Sequence, residues 1–211
     1  MDRRSFMLGA TVGLSAAAAM PALGFERDGD RRTIVFSGNQ AVAILDPHVR
    51  YDWATRMMQR TLYDPLVRYQ SDPPRIVPWL ATHWETSTDG LSWTFHLAEK
   101  AKFNNGDALD AEAVRFSFER ALKLNKGIAW MLRSHVDPST ITTIDQHTVR
   151  FTMRQPFPDF LSFLPMWFIV NPKQVLANQE GDDYGQKWLI SNAAGSGRSL
   201  LSAGTDSPSC L

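Results

Sequence analysis

The chain has 211 residues, of which 44% are hydrophobic, so it can bury a core large enough for one or two domains. Its 22 basic and 22 acidic side chains cancel, so no net charge points to nucleic acid, an anionic membrane or a strongly charged substrate. The composition is that of an ordinary globular protein, and any partner has to be sought in local features.

The first residues have the features of an export signal. Arg3 and Arg4 precede Phe6, and the next charged side chain is Glu26. The stretch between them is rich in Ala and Gly, which makes it too weakly apolar for a retained membrane span. We therefore predict a signal peptide over residues 1–24. The paired arginines resemble the twin-arginine type of signal, which would deliver a folded protein to the bacterial periplasm.

Cysteine use agrees with that location. The single cysteine, Cys210, cannot form an intramolecular disulfide, so the fold depends on packing alone. No cysteine follows the signal core, which argues against a lipid anchor and favours a free periplasmic protein.

The folded part is expected to begin with a short strand. Residues 33–36 form an apolar run typical of a buried strand. Helical spacing then places Trp53, Met57 and Leu62 on one face of a helix that ends at Asp64. We interpret that face as one that packs on the core, rather than as an aromatic or sulfur-lined site.

The middle of the chain alternates between hairpin and helix patterns. Residues 87–90 have the composition of a turn, after which apolar and polar side chains alternate to Leu97, so His96 points away from the core. Asp110 is a good N-cap for a helix with apolar residues at helical spacing. A second hairpin turns at residues 145–147. The middle is therefore predicted to be α+β.

The last elements are shorter. Asn171 and Pro172 are expected to open a short helix that runs to Ala177. Residues 195–211 contain five serines, three glycines and no aromatic side chain. Such a composition offers nothing to anchor on a core, so we expect disorder there.

Four sequence runs together carry a family resemblance. They are residues 80–84 (LATHW), 89–97 (DGLSWTFHL), 102–106 (KFNNG) and 111–120 (AEAVRFSFER). In this order and spacing they resemble the family 5 extracellular solute-binding proteins, a group that includes dipeptide-, oligopeptide- and nickel-binding proteins. The match extends over residues 33–197.

The resemblance implies an α/β fold of the class II periplasmic binding-protein type, with an α+β accessory subdomain over residues 70–165. It implies no enzymatic activity and no cofactor. Such proteins close around a small solute, foremost a peptide, and deliver it to an ABC permease in the inner membrane. We expect a monomer without a nucleic-acid partner. By this resemblance the chain holds only the N-terminal part of lobe one together with the accessory subdomain.

The sequence departs from the family pattern after Gly197. The family continues with a proline and an aromatic residue into another strand, whereas this chain continues with Arg198 and Ser199. We expect residues 198–211 to be an aberrant disordered tail that arose from a frameshift or a premature stop, with binding impaired because the second lobe is absent. The alternative is a genuine terminus of a one-lobed protein with a different role.

Five residues are candidates for contact with the solute. Asn39 and Gln40 follow the first predicted strand, and loops at strand ends line clefts of this kind. Trp167 and the turn at Ala194 and Gly195 complete the set. The alternative is that Asn39 caps a turn and Trp167 belongs to the core.

A secreted hydrolase is the competing function from another class. Its candidate residues are Asp182, Asp183 and Glu85. The two aspartates lie in a polar segment whose ordinary role is a solvated surface. No GxSxG or HExxH motif and no cysteine nucleophile supports catalysis, so we predict that the protein is not an enzyme.

Two other kinds of site are weighed in the same way. Seven tryptophans could bind a polymer, but Trp79, Trp84 and Trp93 are spaced to fill the core of the first hairpin. The five histidines, at positions 48, 83, 96, 135 and 147, are scattered without metal-ligand spacing. We therefore assign no metal site from the sequence.

Overall fold

A computed structural model describes residues 44–199. The predicted signal peptide with Arg3, Arg4 and Phe6 lies outside this range, as do the strand predicted at residues 33–36 and the predicted tail from residue 200 onward. None of the helices within residues 44–199 combines the length and the apolar character needed to cross a membrane.

The elements follow one another in a mixed order. The helices are α1 (Trp53–Leu62), α2 (Ala111–Leu124), α3 (Phe160–Phe163) and α4 (Pro172–Ala177), and the strands are β1 (Val67–Gln70), β2 (Arg75–Pro78), β3 (Ala81–Thr86), β4 (Ser92–Leu97), β5 (Val136–Asp145) and β6 (Thr148–Met153). Strands β1 and β2 form a two-stranded antiparallel sheet. The other four form an antiparallel sheet in the order β3-β4-β6-β5. Both predicted hairpins and the α+β character of the middle are confirmed.

The larger core lies between one face of the four-stranded sheet and α2. Alternation along β4 buries Trp93, Phe95 and Leu97 and turns the intervening polar side chains to the opposite face. From α2, the fully buried Phe118 meets Phe151 of β6 edge to face, with ring centroids 4.7 Å apart. Apolar periodicity in the strands and the helix therefore predicted this core correctly.

Helix α2 has clear signals at both ends. The Asp110 carboxylate accepts a hydrogen bond from the Ala113 amide at 3.0 Å, which satisfies one of the free N–H groups of the first turn. At the other end Asn125 adopts the left-handed conformation with φ of 49°, which asparagine tolerates better than most residues. The predicted N-cap is confirmed.

The burial of α1 differs from the prediction. Trp53 is 75% exposed and Met57 36% exposed, whereas Arg56 and Gln59 are buried. The buried polar groups are satisfied, because Gln59 donates its amide to the Asp46 carbonyl at 3.0 Å and Arg56 donates to the Met166 carbonyl at 2.6 Å. The interpretation of Trp53 and Met57 as core-facing residues is therefore wrong, since only Leu62 of that set is buried.

A buried ion pair joins the segment before α1 to α2. Arg120 binds both carboxylate oxygens of Asp46, at 3.0 and 2.6 Å, and neither side chain is exposed. His48 Nε2 donates to the Phe168 carbonyl at 2.9 Å, so its Nδ1 accepts from Arg120. Burial, helped by the Arg120 charge, lowers the pKa of His48 to about 4, which keeps the ring neutral. Arg120, the last residue of the fourth sequence run, therefore has a structural role, because it ties α2 to Asp46 and His48.

The segment after Ala194 runs beside the end of α1. Gly197 N–H donates to the Leu62 carbonyl and Ser199 N–H donates to the Thr61 carbonyl, both at 3.0 Å. A Cβ atom at position 195 would lie 2.0 Å from the Leu62 oxygen, so this approach requires glycine. The disorder expected from residue 195 therefore does not begin there, and ordered backbone extends at least to Ser199.

The three tryptophans of the first hairpin are not equivalent. Trp93 is 6% exposed and packs in the core, as predicted, and Trp84 is half-buried. Trp79 is 37% exposed, and the Arg68 guanidinium lies 3.4 Å above its ring centroid. The prediction that all three fill the hairpin core is therefore wrong for Trp79.

Candidate functional site

An exposed groove beside the first turn of α1 is the candidate site, and we call it the aromatic groove. Its volume is about 230 Å³. It is lined by Tyr51, Asp52, Trp53, Arg56, Met57, Arg60 and Met166.

Local helix chemistry positions the aromatic side chains of the groove. The Asp52 carboxylate accepts the Thr55 amide at 3.1 Å and so fixes the start of α1 at Trp53. Tyr51 lies just before the helix, and its hydroxyl donates to the Met166 sulfur at 3.1 Å. The cap therefore sets where Trp53 emerges, and the hydroxyl contact joins the two sides of the groove.

The groove is apolar yet open to solvent. Tyr51 is 42% exposed, Trp53 75% and Met57 36%. Single exposed apolar residues are ordinary, but several side by side in a concavity mark a surface that a ligand or another part of the protein covers. Aromatic faces and a flexible thioether suit contact with varied organic groups.

Two arginines add positive charge to this apolar surface. The Arg56 guanidinium lies 4.5 Å from the Phe168 ring centroid and 5.3 Å from that of Tyr51. Burial lowers the pKa of Arg56 to about 10, so it remains protonated at neutral pH. Within residues 44–199 no carboxylate lies within ion-pair distance of Arg56 or Arg60. The groove can therefore attract an anionic group beside an apolar one.

The residues proposed from sequence to contact the solute are not gathered in this groove. Asn39 and Gln40 lie outside the described residues. Trp167 is 1% exposed and stacks on Phe118 with ring centroids 4.6 Å apart. Ala194 is buried as well, and its carbonyl accepts the Asn171 amide at 2.8 Å. A role of these residues in binding stays a prediction.

Gly195 is buried, and its backbone makes close contacts that hold this segment in the fold. Its carbonyl accepts the Asn104 amide at 3.0 Å, while its Cα packs on the end of α1. A role in solute binding stays a prediction here too.

The residues of the hydrolase alternative lie in a hydrogen-bonded loop or on the exposed surface. Asp183 accepts backbone N–H groups from Glu180, Gly185 and Lys187 at 2.7–3.0 Å and organises a loop. Desolvation opposes ionisation of Asp183, but these hydrogen bonds outweigh it and lower its pKa. Glu85 lies on the exposed side of β3 and Asp182 is exposed. Asp183 therefore has the surroundings of a loop-stabilising carboxylate.

The aromatic groove was missed from the sequence for a definable reason. Apolar residues at helical spacing are usually assigned to the core, and Trp53 and Met57 fit that rule. The signal that could have identified the groove is Asp52, since this N-cap starts the helix next to a second aromatic residue, Tyr51.

Comparison with known proteins identifies relatives of the chain. Residues 75–198 match the bacterial extracellular solute-binding proteins, family 5 middle. A probable D,D-dipeptide-binding periplasmic protein, DdpA of Escherichia coli (strain K12), is 38% identical over 163 residues, which cover 74% of this chain and 31% of the relative. The nickel-binding periplasmic protein of the same organism is 34% identical over 59% of this chain and 23% of its own length.

Solved structures give the same relation at the level of the fold. The substrate-binding domain of an oligopeptide ABC transporter from Bacillus anthracis str. Ames aligns with a TM-score of 0.65 at 21% identity, over 76% of this chain and 33% of that one. The chain thus spans about a third of the length of this structure and less than a third of the two curated relatives.

Proposed function

Because the chain belongs to the bacterial extracellular solute-binding proteins of family 5, we propose that it serves an ABC importer by capturing a small solute, foremost a peptide. Its fold is of the class II periplasmic binding-protein type, mixed helix and sheet, of which it spans about a third. The aromatic groove is the single observation that carries the proposal for this chain's own residues.

The chemistry of the groove favours a peptide over a simple ion. Tyr51 and Trp53 offer aromatic faces to an apolar side chain, and Arg56 offers a buried positive charge nearby. A short peptide carries both a carboxylate and side chains of varied polarity, which match these two features. The relative described as D,D-dipeptide-binding supports the same solute class.

Periplasmic location and delivery to a permease belong to the same proposal. The matched relatives are described as periplasmic proteins, and the sequence begins with the features of an export signal. The partner that takes up the solute is accordingly an ABC permease in the inner membrane. The protein binds and releases the solute without covalent chemistry.

The open groove also sets an expectation for affinity. Trp53 remains 75% exposed, so a solute resting on it would keep much of its own surface in water. Affinity in clefts of this kind comes from burial between two walls. We therefore expect the 211-residue chain on its own to bind a dipeptide weakly.

The test is a titration of the chain with dipeptides followed by tryptophan fluorescence and calorimetry. Trp53→Ala should weaken binding about fivefold or more, because a large apolar contact is lost. Tyr51→Ala and Tyr69→Ala form a matched pair, since their side chains are 42% and 44% exposed and only Tyr51 lines the groove. Loss of affinity in Tyr51→Ala but not in Tyr69→Ala is the expected result. Equal affinity in all variants would exclude the groove as the solute site.

A further inference from the structure

The outer face of the four-stranded sheet carries a cluster of metal-binding side chains. His83 of β3 lies opposite His96 of β4 in the strand register, and their rings stack with centroids 4.2 Å apart. Glu85, two residues along β3, is on the same face. One ligand atom of each residue lies within 4.8 Å of those of the other two. Sequence spacing did not reveal the cluster, because the two histidines belong to different strands.

Hydrogen bonds around His83 leave one of its ring nitrogens available. The Thr82 hydroxyl donates to the His96 carbonyl at 3.1 Å. Its oxygen can therefore accept from His83 Nδ1, which lies 3.0 Å away. A proton on Nδ1 leaves Nε2 of His83 with a free lone pair, as a metal-binding histidine requires.

His96 has the matching arrangement. Its Nδ1 lies 3.4 Å from the hydroxyl of Thr148 on β6, the buried residue opposite it in the register. Its Nε2 is buried and has no hydrogen-bond partner within residues 44–199. A buried polar atom without a partner calls for an explanation, and an ion is one of the groups that supplies it.

We propose that His83, Glu85 and His96 bind a transition-metal ion of the Zn²⁺ type, with water as the remaining ligand. Two imidazoles and one carboxylate are the donor set that such ions prefer. The site contains no residue of the aromatic groove and is independent of solute capture.

Binding requires a small rearrangement of exposed side chains. Ligand atoms around one ion, each at about 2.0–2.2 Å, lie about 3–4 Å from one another, so the cluster contracts slightly. Lone pairs of imidazole lie in the ring plane, so the exposed His83 ring must also turn out of its parallel stack on His96. His83 and Glu85 are exposed and can rotate, while the strand register holds the backbone in place.

The test is a calorimetric titration of the full chain with Zn²⁺ after removal of metal by chelation. All samples carry Cys210→Ser, because a free thiol also binds Zn²⁺. We expect one ion per chain, and an affinity that falls about tenfold or more in His83→Gln and in His96→Gln. His135→Gln is the matched control, since its ring stacks on Phe157, 3.8 Å between centroids, outside the cluster.

Two further comparisons make the result decisive. Trp53→Ala should leave Zn²⁺ affinity unchanged, which separates this site from the aromatic groove. His83 is exposed, so His83→Gln should fold as the parent does, and circular dichroism checks this. Zn²⁺ affinity that is the same in His83→Gln as in His135→Gln would overturn the proposal, as would the absence of Zn²⁺ binding.

Discussion

Removing one partner of the buried ion pair between Asp46 and Arg120 should destabilise the protein strongly. Both side chains are 0% exposed, and Arg120 contacts Asp46 through two nitrogens. Among the described residues 44–199, Asp46→Ala leaves the buried guanidinium with the Tyr184 carbonyl and the His48 ring as its remaining partners. A buried charge stranded in this way costs about 3–5 kcal/mol, a large part of the stability of an ordinary domain.

The assay is urea unfolding of the full chain, followed by tryptophan fluorescence. With a dependence of about 2 kcal/mol per molar urea, the midpoint for Asp46→Ala should fall by about 2 M. Arg154→Ala is the control, because its ion pair with Asp137 is 54% and 41% exposed. That variant should change stability by less than about 1 kcal/mol.

A double variant distinguishes two causes of the destabilisation: the loss of the attraction between Asp46 and Arg120, and the cost of leaving the Arg120 charge buried without its partner. Asp46→Ala with Arg120→Met removes the guanidinium as well, so it should be more stable than Asp46→Ala alone. The reasoning is refuted if Asp46→Ala and Arg154→Ala unfold at the same urea concentration. It is also refuted if removal of Arg120 adds a further loss of similar size.

Three other predictions concern stability. The pKa of His48 is lowered from 6.5 to about 4 in the folded protein, so between these pH values the unfolded chain binds more protons than the folded one, and the free energy of unfolding should fall by about 3 kcal/mol as pH drops from 6.5 to 4. Urea midpoints of the parent and of His48→Gln, measured across this pH range, test the prediction. The same dependence of the midpoint on pH in both proteins would contradict it. Gly195→Ala should lower the melting temperature more than Gly106→Ala. At 106 alanine meets no atom within 4 Å and is strained only by the φ of 91°, at a cost of about 1 kcal/mol, whereas a Cβ at 195 would lie 2.0 Å from the Leu62 backbone oxygen; the reverse order in calorimetry contradicts this prediction. Asp110→Ala should cost about 1 kcal/mol through loss of the N-cap, and an unchanged urea midpoint would show that the cap contributes nothing.

Elements with one apolar face were predictable from the sequence. The strand with Trp93, Phe95 and Leu97 alternates with period two, and Asp110 announces α2, so both follow from local rules. The N-cap Asn171 of α4 accepts the Lys173 amide at 3.0 Å, which is the same kind of local signal. Such elements are predictable because their signals lie within the segment itself.

The candidate site was not predictable in the same way. Helix α1 buries Arg56 and Gln59 because carbonyls of Met166 and Asp46 happen to lie opposite them, and those partners are distant in the sequence. Pairing of His83 with His96 depends on the strand register. Hydrophobic alternation predicts which face of the sheet a side chain lies on, but not which residue of the neighbouring strand lies opposite it. Apolar side chains that are exposed to solvent, such as Trp53 and Met57, do not follow the rule that apolar residues lie in the core, so periodicity assigns them wrongly.

Two buried polar side chains of α1, Arg56 and Gln59, hold the helix in place, and Arg56 also lines the aromatic groove. Gln59 and Arg56 fasten the helix through main-chain carbonyls, so Trp53 and Met57 contribute little to holding it in place. Under the proposed role of the aromatic groove in solute capture, substitutions at Trp53 and Met57 would alter which solute is preferred while the helix keeps its position. Homologous proteins that keep this helix could therefore differ in solute specificity through single substitutions at these outward positions, each with little loss of folding stability.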